Sequence, residues 1–154
     1  MKRSPAAAAR ASAGPSEFMA SLRELPSVMR QVDQACSEAR ADEEDAFAIR
    51  LAVEETFSNI VRHGYPPDEP GPVRIAFAIE PGRVRITIDD DAPPFDIRDA
   101  PEPHLAGSLE GRMVGGLGVH LIGEFMDEVK HEARAGGNRL VLVRRLRDPS
   151  RRQE

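Results

Sequence analysis

A single cysteine, Cys36, is all the chain holds, so no disulfide can close within it and a reducing compartment is expected. Cys36 falls among apolar helical positions, which reads as a buried structural thiol and not a reactive one. A basic surplus is also missing. The 21 Lys and Arg stand against 26 Asp and Glu, a formal charge of -5, which argues against direct nucleic-acid binding. No apolar run approaches the roughly 20 residues needed to cross a bilayer, which argues against a membrane protein. Residues 1–16 are rich in alanine and carry basic residues without acids. They lack the apolar centre of a secretory signal and are expected to form a disordered leader to a cytoplasmic protein. No internal repeat is visible. His63, His104, His120 and His131 have no metal-ligand spacing and read as structural, and no Ser/His/Asp arrangement stands out.

What is present is 154 residues, 40% hydrophobic and 31% charged, consistent with one soluble domain that can bury a core. Phe18, Ala20 and Leu22 alternate with mostly polar neighbours, predicting a short first strand stopped by Pro26. Ser27 is placed to cap a helix with Val28, Val32, Ala35, Cys36 and Ala39 on one face. A second helix should begin near Asp42, where Asp42, Glu43, Glu44 and Asp45 suit the positive end of the helix dipole. Its apolar stripe runs through Ala46, Ile49, Val53, Phe57, Ile60 and Val61 and stops around His63-Gly64.

Beyond Pro72 the hydrophobic period changes from 3.6 to 2. Val73, Ile75, Phe77 and Ile79 answer Val84, Ile86 and Ile88 across a turn at Pro81-Gly82, an antiparallel hairpin with one covered face and one open face. Residues 92–114 hold four prolines and no clear period; so long an irregular connection is usually functional, here a lid. A third helix is predicted from about Leu117 to Met126. Strands near Glu128–Arg134 and Arg139–Leu146, joined at Gly136-Gly137-Asn138, close the sheet. The expected fold is an α/β (α+β) two-layer sandwich, a mostly antiparallel mixed sheet with helices on one face. The domain should span residues 17–147, with 148–154 as a tail and the arginine-rich stretch from Arg144 onward in solvent.

Three short motifs carry the chemistry. Glu55 and Asn59 lie one helical turn apart, on a stripe (Leu51, Glu55, Asn59, Arg62) beside the apolar one, at the rim of the core. An Asn carbonyl oxygen suits Mg²⁺, and a neighbouring carboxylate can accept a proton from an attacking hydroxyl. The same spacing also describes an ordinary solvated helix face. Asp90 stands where the strand ending in Ile88 runs out, and a carboxylate there can accept a hydrogen bond from an exocyclic amine such as adenine's. Asp89 and Asp91 are read as neighbours facing water. An acidic turn is the plainer alternative, and the regular spacing and central glycine of a Ca²⁺ loop are absent. Gly115-Gly116-Leu117-Gly118, ahead of a helix, lets backbone N–H groups approach phosphate oxygens. No Gly-Lys-Ser/Thr follows, so this is not a Walker loop, and the flanking elements do not fit a Rossmann pattern.

In this order the three blocks resemble the Bergerat-fold (GHKL) ATPases, and more narrowly the bacterial anti-sigma-factor serine kinases of the RsbW type. The resemblance covers about Phe18 to Leu146. Glu55 to Tyr65 (ETFSNIVRHGY), Asp90 to Asp96 (DDAPPFD), Gly115 to Val129 (GGLGVHLIGEFMDEV) and Asn138-Arg139-Leu140 carry it. It implies ATP and Mg²⁺ as cofactors, Glu55 as catalytic base toward a serine of a partner protein, and Asn59 as the Mg²⁺ ligand. It further implies that Asp90 contacts the adenine amine, that Ala92 and Phe95 contribute to the nucleotide site, and that Gly115, Gly116, Leu117 and Gly118 border the phosphates beneath the lid. The implied partners are a STAS-type antagonist and a sigma factor, with a homodimer as a further family expectation. The wider superfamily has Asp-x-Gly where this chain has Asp90-Asp91-Ala92. Two rival readings are a binding module that regulates by sequestration without phosphate transfer, and ATP hydrolysis with water in place of the serine. A sensor histidine kinase would need a dimerisation helix with a phospho-accepting histidine ahead of Asp42, for which there are too few residues.

Overall fold

The computed structural model describes residues 10–94 and 116–148, with side chains described over 14–94 and 121–148. Its strands are β1 (Arg10–Met19), β2 (Pro72–Glu80), β3 (Arg83–Asp90), β4 (Glu128–Arg134) and β5 (Gly137–Arg145). They form one sheet in the order β1-β2-β3-β5-β4, and each neighbouring pair is antiparallel. Helices α1 (Leu25–Glu38), α2 (Glu43–Asn59) and α3 (Gly116–Phe125) contribute to a single core with the inward residues of the sheet. That is the two-layer sandwich the periodicity predicts.

Alternation places the core. Val73, Ile75 and Phe77 of β2 and Val84, Ile86 and Ile88 of β3 are all buried, against Ile49, Val53 and Phe57 of α2 in the same cluster. Full burial of such side chains contributes about 1.5–3 kcal/mol each. The opposite face carries a row of alternating charge across all five strands, Glu17, Arg74, Asp89, Arg139 and Glu132, each opposite the next in register. Opposed charges directly across a ladder favour this register over a one-residue slip.

Several boundaries move. β1 begins at Arg10, so residues 10–16, expected in the leader, pair with β2. β1 ends at Met19, and Leu22 lies in a short 3₁₀ turn, Leu22–Glu24, capped by Ser21. Pro26 does not stop a strand but sits in the first turn of α1, where the missing N–H is one the helix would leave unpaired anyway. Ser27 is accordingly inside α1, accepting from Arg30 Nη2 at 2.8 Å, and is not the cap. The apolar face of α1 is as expected, with Val28, Val32, Ala35 and Cys36 buried. Burial pushes the Cys36 thiol up to about 11, so it stays protonated at neutral pH. Asp42 caps α2, its carboxylate accepting from the Asp45 N–H at 2.7 Å. β5 starts at Gly137 and not at Arg139, which puts Asn138 inside the sheet opposite Asp90.

Arg144 is the largest departure. It lies in the closing strand, as the strand expected at Arg139–Leu146 has it, but its side chain, expected in solvent, reaches the buried Asp45, with Nη2 to Oδ1 at 3.0 Å and Nε to Oδ1 at 3.1 Å. Arg144 Nη1 also donates to the Phe125 carbonyl at 2.6 Å, at the C-terminal end of α3, and the Arg147 N–H donates to Asp45 Oδ2 at 2.9 Å. One buried carboxylate thus joins the start of α2 to the end of the sheet, and its partner holds the end of α3.

Candidate functional site

Asp90 is in phase with Val84, Ile86 and Ile88, so its side chain turns toward the helices and is buried. Its neighbours do not share that surrounding. Asp91 is exposed and pairs with Arg74 at 2.6 Å, which holds its carboxyl below the usual carboxylate range. Asp89, read as facing water, is instead partly covered and held by Arg139 in a two-pronged contact of 2.7 and 2.8 Å. Alternation separates three adjacent acids into three different roles.

Burial pushes the Asp90 carboxyl up, opposed by hydrogen bonds from Asn138 and from the Ala92 N–H; Asp91 adds to the rise and His131 opposes it. Asn138 Nδ2 donates to Asp90 Oδ1 at 2.9 Å, and the Ala92 N–H donates to the same oxygen at 3.0 Å. Among the described residues no donor falls on Oδ2. A buried carboxylate with one oxygen doubly satisfied and the other not is suited to accept one further hydrogen bond from a ligand. β5 approaches so closely here that a Cβ on Gly137 would stand 2.1 Å from the Asp90 carbonyl oxygen. Only glycine fits that position.

The turn after β3 is tied to the end of α2. Immediately after Asn59 the helix widens into a π turn, Ile60–Gly64, a feature common beside functional sites. The Ala92 methyl lies 3.4 Å from where a Gly64 Cβ would be. Ala92 is buried, and Arg40 is the one non-glycine residue with positive φ among those described. Alanine at this point therefore needs none of glycine's conformational freedom. Tyr65 completes the link: its hydroxyl donates to the Pro72 carbonyl and accepts from the Asp91 N–H, both at 2.6 Å.

Glu55 and Asn59 occupy the rim of α2, both partly exposed, between the buried Ala52, Thr56 and Phe57 and the solvent side. The Asn59 amide nitrogen is buried, with no hydrogen-bond partner among the described residues. Such an atom costs free energy in the unliganded protein. Half a turn of the amide would present Oδ1 there instead, with the same shape. Gly116, Leu117 and Gly118 form the first turn of α3, which packs against α2. Phe95, Gly115 and nearly all of the expected lid at 92–114 lie outside the described residues. Among the described residues no group of three or more His, Cys, Asp or Glu side chains could hold a metal, and no helix is long and apolar enough to cross a membrane.

Residues 18–144 match the histidine kinase-like ATPase domain. The chain belongs to that family. Among its relatives, the serine/threonine-protein kinase BtrW of Bordetella bronchiseptica is 31% identical over 97 residues, 63% of this chain and 68% of that protein. The serine-protein kinase RsbW of Bacillus licheniformis is 33% identical over 101 residues, 60% of this chain and 61% of that protein. The matched stretch thus spans about three fifths to two thirds of these relatives. Among solved structures, the RsbU and RsbW domains of Rv1364c from Mycobacterium tuberculosis superpose with a TM-score of 0.61 at 23% identity, over 87% of this chain and 32% of that one. The blue-light activated histidine kinase of Erythrobacter litoralis gives 0.54 at 17% identity, over 79% and 41%. These structures share the histidine kinase-like ATPase fold.

Tyr65 and Asn138 fall within the family-like stretches without an assigned role, and His131 reads as structural; all three contribute to the site. Asn138 had a signal: it is a polar residue in phase with the inward Leu140 and Leu142, and a polar side chain at a core position needs a partner. Exchanging Asp90 for asparagine tests the assignment of this end of the sheet. Asp90→Asn keeps an oxygen for Asn138 and Ala92 but can turn a second donor toward a ligand amine. Affinity for an adenine nucleotide should fall by the worth of a charge-assisted hydrogen bond, about 1.5–3 kcal/mol, roughly ten- to hundredfold. Calorimetric titration of a variant with unchanged thermal unfolding measures this, and unaltered affinity would remove Asp90 from base recognition.

Proposed function

We propose that this protein is an ATP-dependent protein serine kinase that doubles as an anti-sigma factor, phosphorylating a STAS-type antagonist and sequestering a sigma factor. The observation that carries the reading is the buried Nδ2 of Asn59, without a partner among the described residues, one helical turn after Glu55, in a family whose relatives here include named serine-protein kinases. An amide at the rim of the core with unused hydrogen-bonding capacity fits a ligand that brings its own polar atoms.

Each residue has a role in this reading. Asp90 accepts from the adenine amine, with Ala92 and Phe95 beside the base. Gly115, Gly116, Leu117 and Gly118 offer backbone N–H groups at the start of α3, where the helix dipole favours phosphate charge. Asn59 would hold Mg²⁺ through its side-chain oxygen; when bound, the ion neutralises charge on the phosphate oxygens. Glu55 accepts the proton of the attacking serine hydroxyl. Residues 92–114 act as a lid that excludes water from the transfer. The protein works in the cytoplasm and dimerises as the family expectation has it. Sequestering a sigma factor and phosphorylating its antagonist require partners that exclude each other, so both bind near the lid and the first helices.

The test is to mix the protein with labelled ATP, Mg²⁺ and a candidate STAS-type antagonist, and to follow label onto a serine. Nucleotide binding without transfer to any antagonist would favour the non-catalytic module, and phosphate release without an acceptor would favour hydrolysis. Asn59→Ala is expected to abolish the Mg²⁺-dependent part of nucleotide binding, read by titration with and without the metal. Equal affinities in variant and parent would take Asn59 out of this role.

A further inference from the structure

We infer that Asn138, itself oriented by His131, is the positioning residue that aims Asp90 and thereby sets the preference for an amino-bearing purine. The inference rests on the ATP-binding reading of the same site. It starts from a hydrogen-bonded chain behind Asp90. Asn138 is 8% exposed and Asp90 7%. Asn138 Nδ2 faces three acceptors: Asp90 Oδ1 at 2.9 Å, the Pro93 carbonyl at 3.2 Å and the Ala92 carbonyl at 3.3 Å. The opposite assignment would turn the amide oxygen onto three oxygens, so the surroundings fix which end is nitrogen. Asn138 Oδ1 then lies 3.2 Å from His131 Nε2. Because an amide oxygen can only accept, Nε2 must carry the hydrogen.

The consequence is directional. Asn138 and the Ala92 N–H both occupy Asp90 Oδ1, which pins the carboxylate plane and leaves Oδ2 as its acceptor for a ligand. Adenine presents a donor amine where guanine presents a carbonyl oxygen, and an ionised Oδ2 attracts the first and repels the second. A carboxylate free to rotate would lose part of that discrimination. His131 sits on the edge strand β4, opposite Leu140 in register, two pairs along the ladder from the Ala133–Asn138 pair. Its hydrogen-bond contact with Asn138 is the link to Asp90 on which this inference rests.

Base selectivity separates this role from a merely structural one, because a general loosening would weaken both nucleotides alike. Equilibrium binding of non-hydrolysable ATP and GTP analogues with Mg²⁺ is the measurement. The parent protein should prefer the ATP analogue. In Asn138→Leu, ATP affinity should fall about tenfold with little change for GTP, the loss of one hydrogen bond to a charged group. His131→Leu should narrow the ratio by a few-fold, and His131→Gln, which keeps a donor, should restore it. Should Asn138→Leu not fold, the His131 pair decides. A ratio unchanged in the folded variants, or equal weakening of both analogues, overturns the inference. A second readout needs no nucleotide: imidazole ¹⁵N shifts should show the proton of His131 on Nε2 at neutral pH, and a bare Nε2 would overturn it as well. A parent protein that binds neither analogue would instead refute the ATP-binding reading, and this inference with it.

Discussion

In a Glu55→Gln variant, phosphate transfer to the serine of an antagonist should fall by about 10²–10⁴-fold, the usual contribution of a positioned general base. The exchange conserves the shape of the side chain and its place on α2, one turn before Asn59, and removes only the ability to take a proton. Nucleotide affinity should therefore stay where it was, so the loss appears in turnover alone. Single-turnover transfer under saturating ATP, beside a binding titration, reads the two quantities separately. Retention of the parental transfer rate would show that the serine hydroxyl loses its proton to another group. Loss of binding and transfer together would move Glu55 from proton transfer to nucleotide or metal positioning.

Asp45→Ala should cost about 3–5 kcal/mol of stability, the range for removing one partner of a buried ion pair. The Asp45 side chain is 1% exposed and that of Arg144 16%, so the guanidinium left behind has little access to water. The carboxylate also accepts the Arg147 N–H, and the cap on the end of α3 is held by the same Arg144. Thermal unfolding should shift down by roughly 10 °C for a domain of this size. The physical cause can be separated from mere loss of contact. Replacing both partners, as in Asp45→Leu with Arg144→Met, should recover most of the loss, because no buried charge is then left unpaired. A double variant as unstable as Asp45→Ala would mean that the backbone contact of Arg147, and not the charge pair, is what Asp45 supplies. Equal stability of Asp45→Ala and the parent would mean the pair contributes nothing.

Much of the architecture can be read from local pattern. The hairpin of β2 and β3, the third helix and β4 follow from hydrophobic period and turn residues, and the observed Pro72–Glu80, Arg83–Asp90, Gly116–Phe125 and Glu128–Arg134 stay close to those expectations. The ends of elements were less legible where one residue type serves two purposes. Pro26 marks a strand's end in an extended chain and a helix's first turn here, and Ser27 caps well only if the helix begins after it. β1 reaches back to Arg10 because an edge strand is held by main-chain pairing to β2, which leaves little mark on side-chain alternation.

For the candidate site the division is similar. Chain order alone set Glu55 one turn before Asn59, Asp90 at the end of a strand on its buried phase, and glycines ahead of a helix, because 3.6- and 2-residue periods are local geometry. Whether those pieces meet was decided by the tertiary structure. Tyr65 and Gly64 join the end of α2 to the Asp90–Ala92 turn, and Asn138, 48 residues from Asp90 in sequence, supplies its closest side-chain hydrogen bond. Strand register chose that partner, as packing chose Arg144 for Asp45. Contacts between residues so far apart depend on which elements lie side by side, and no short stretch of sequence carries that information.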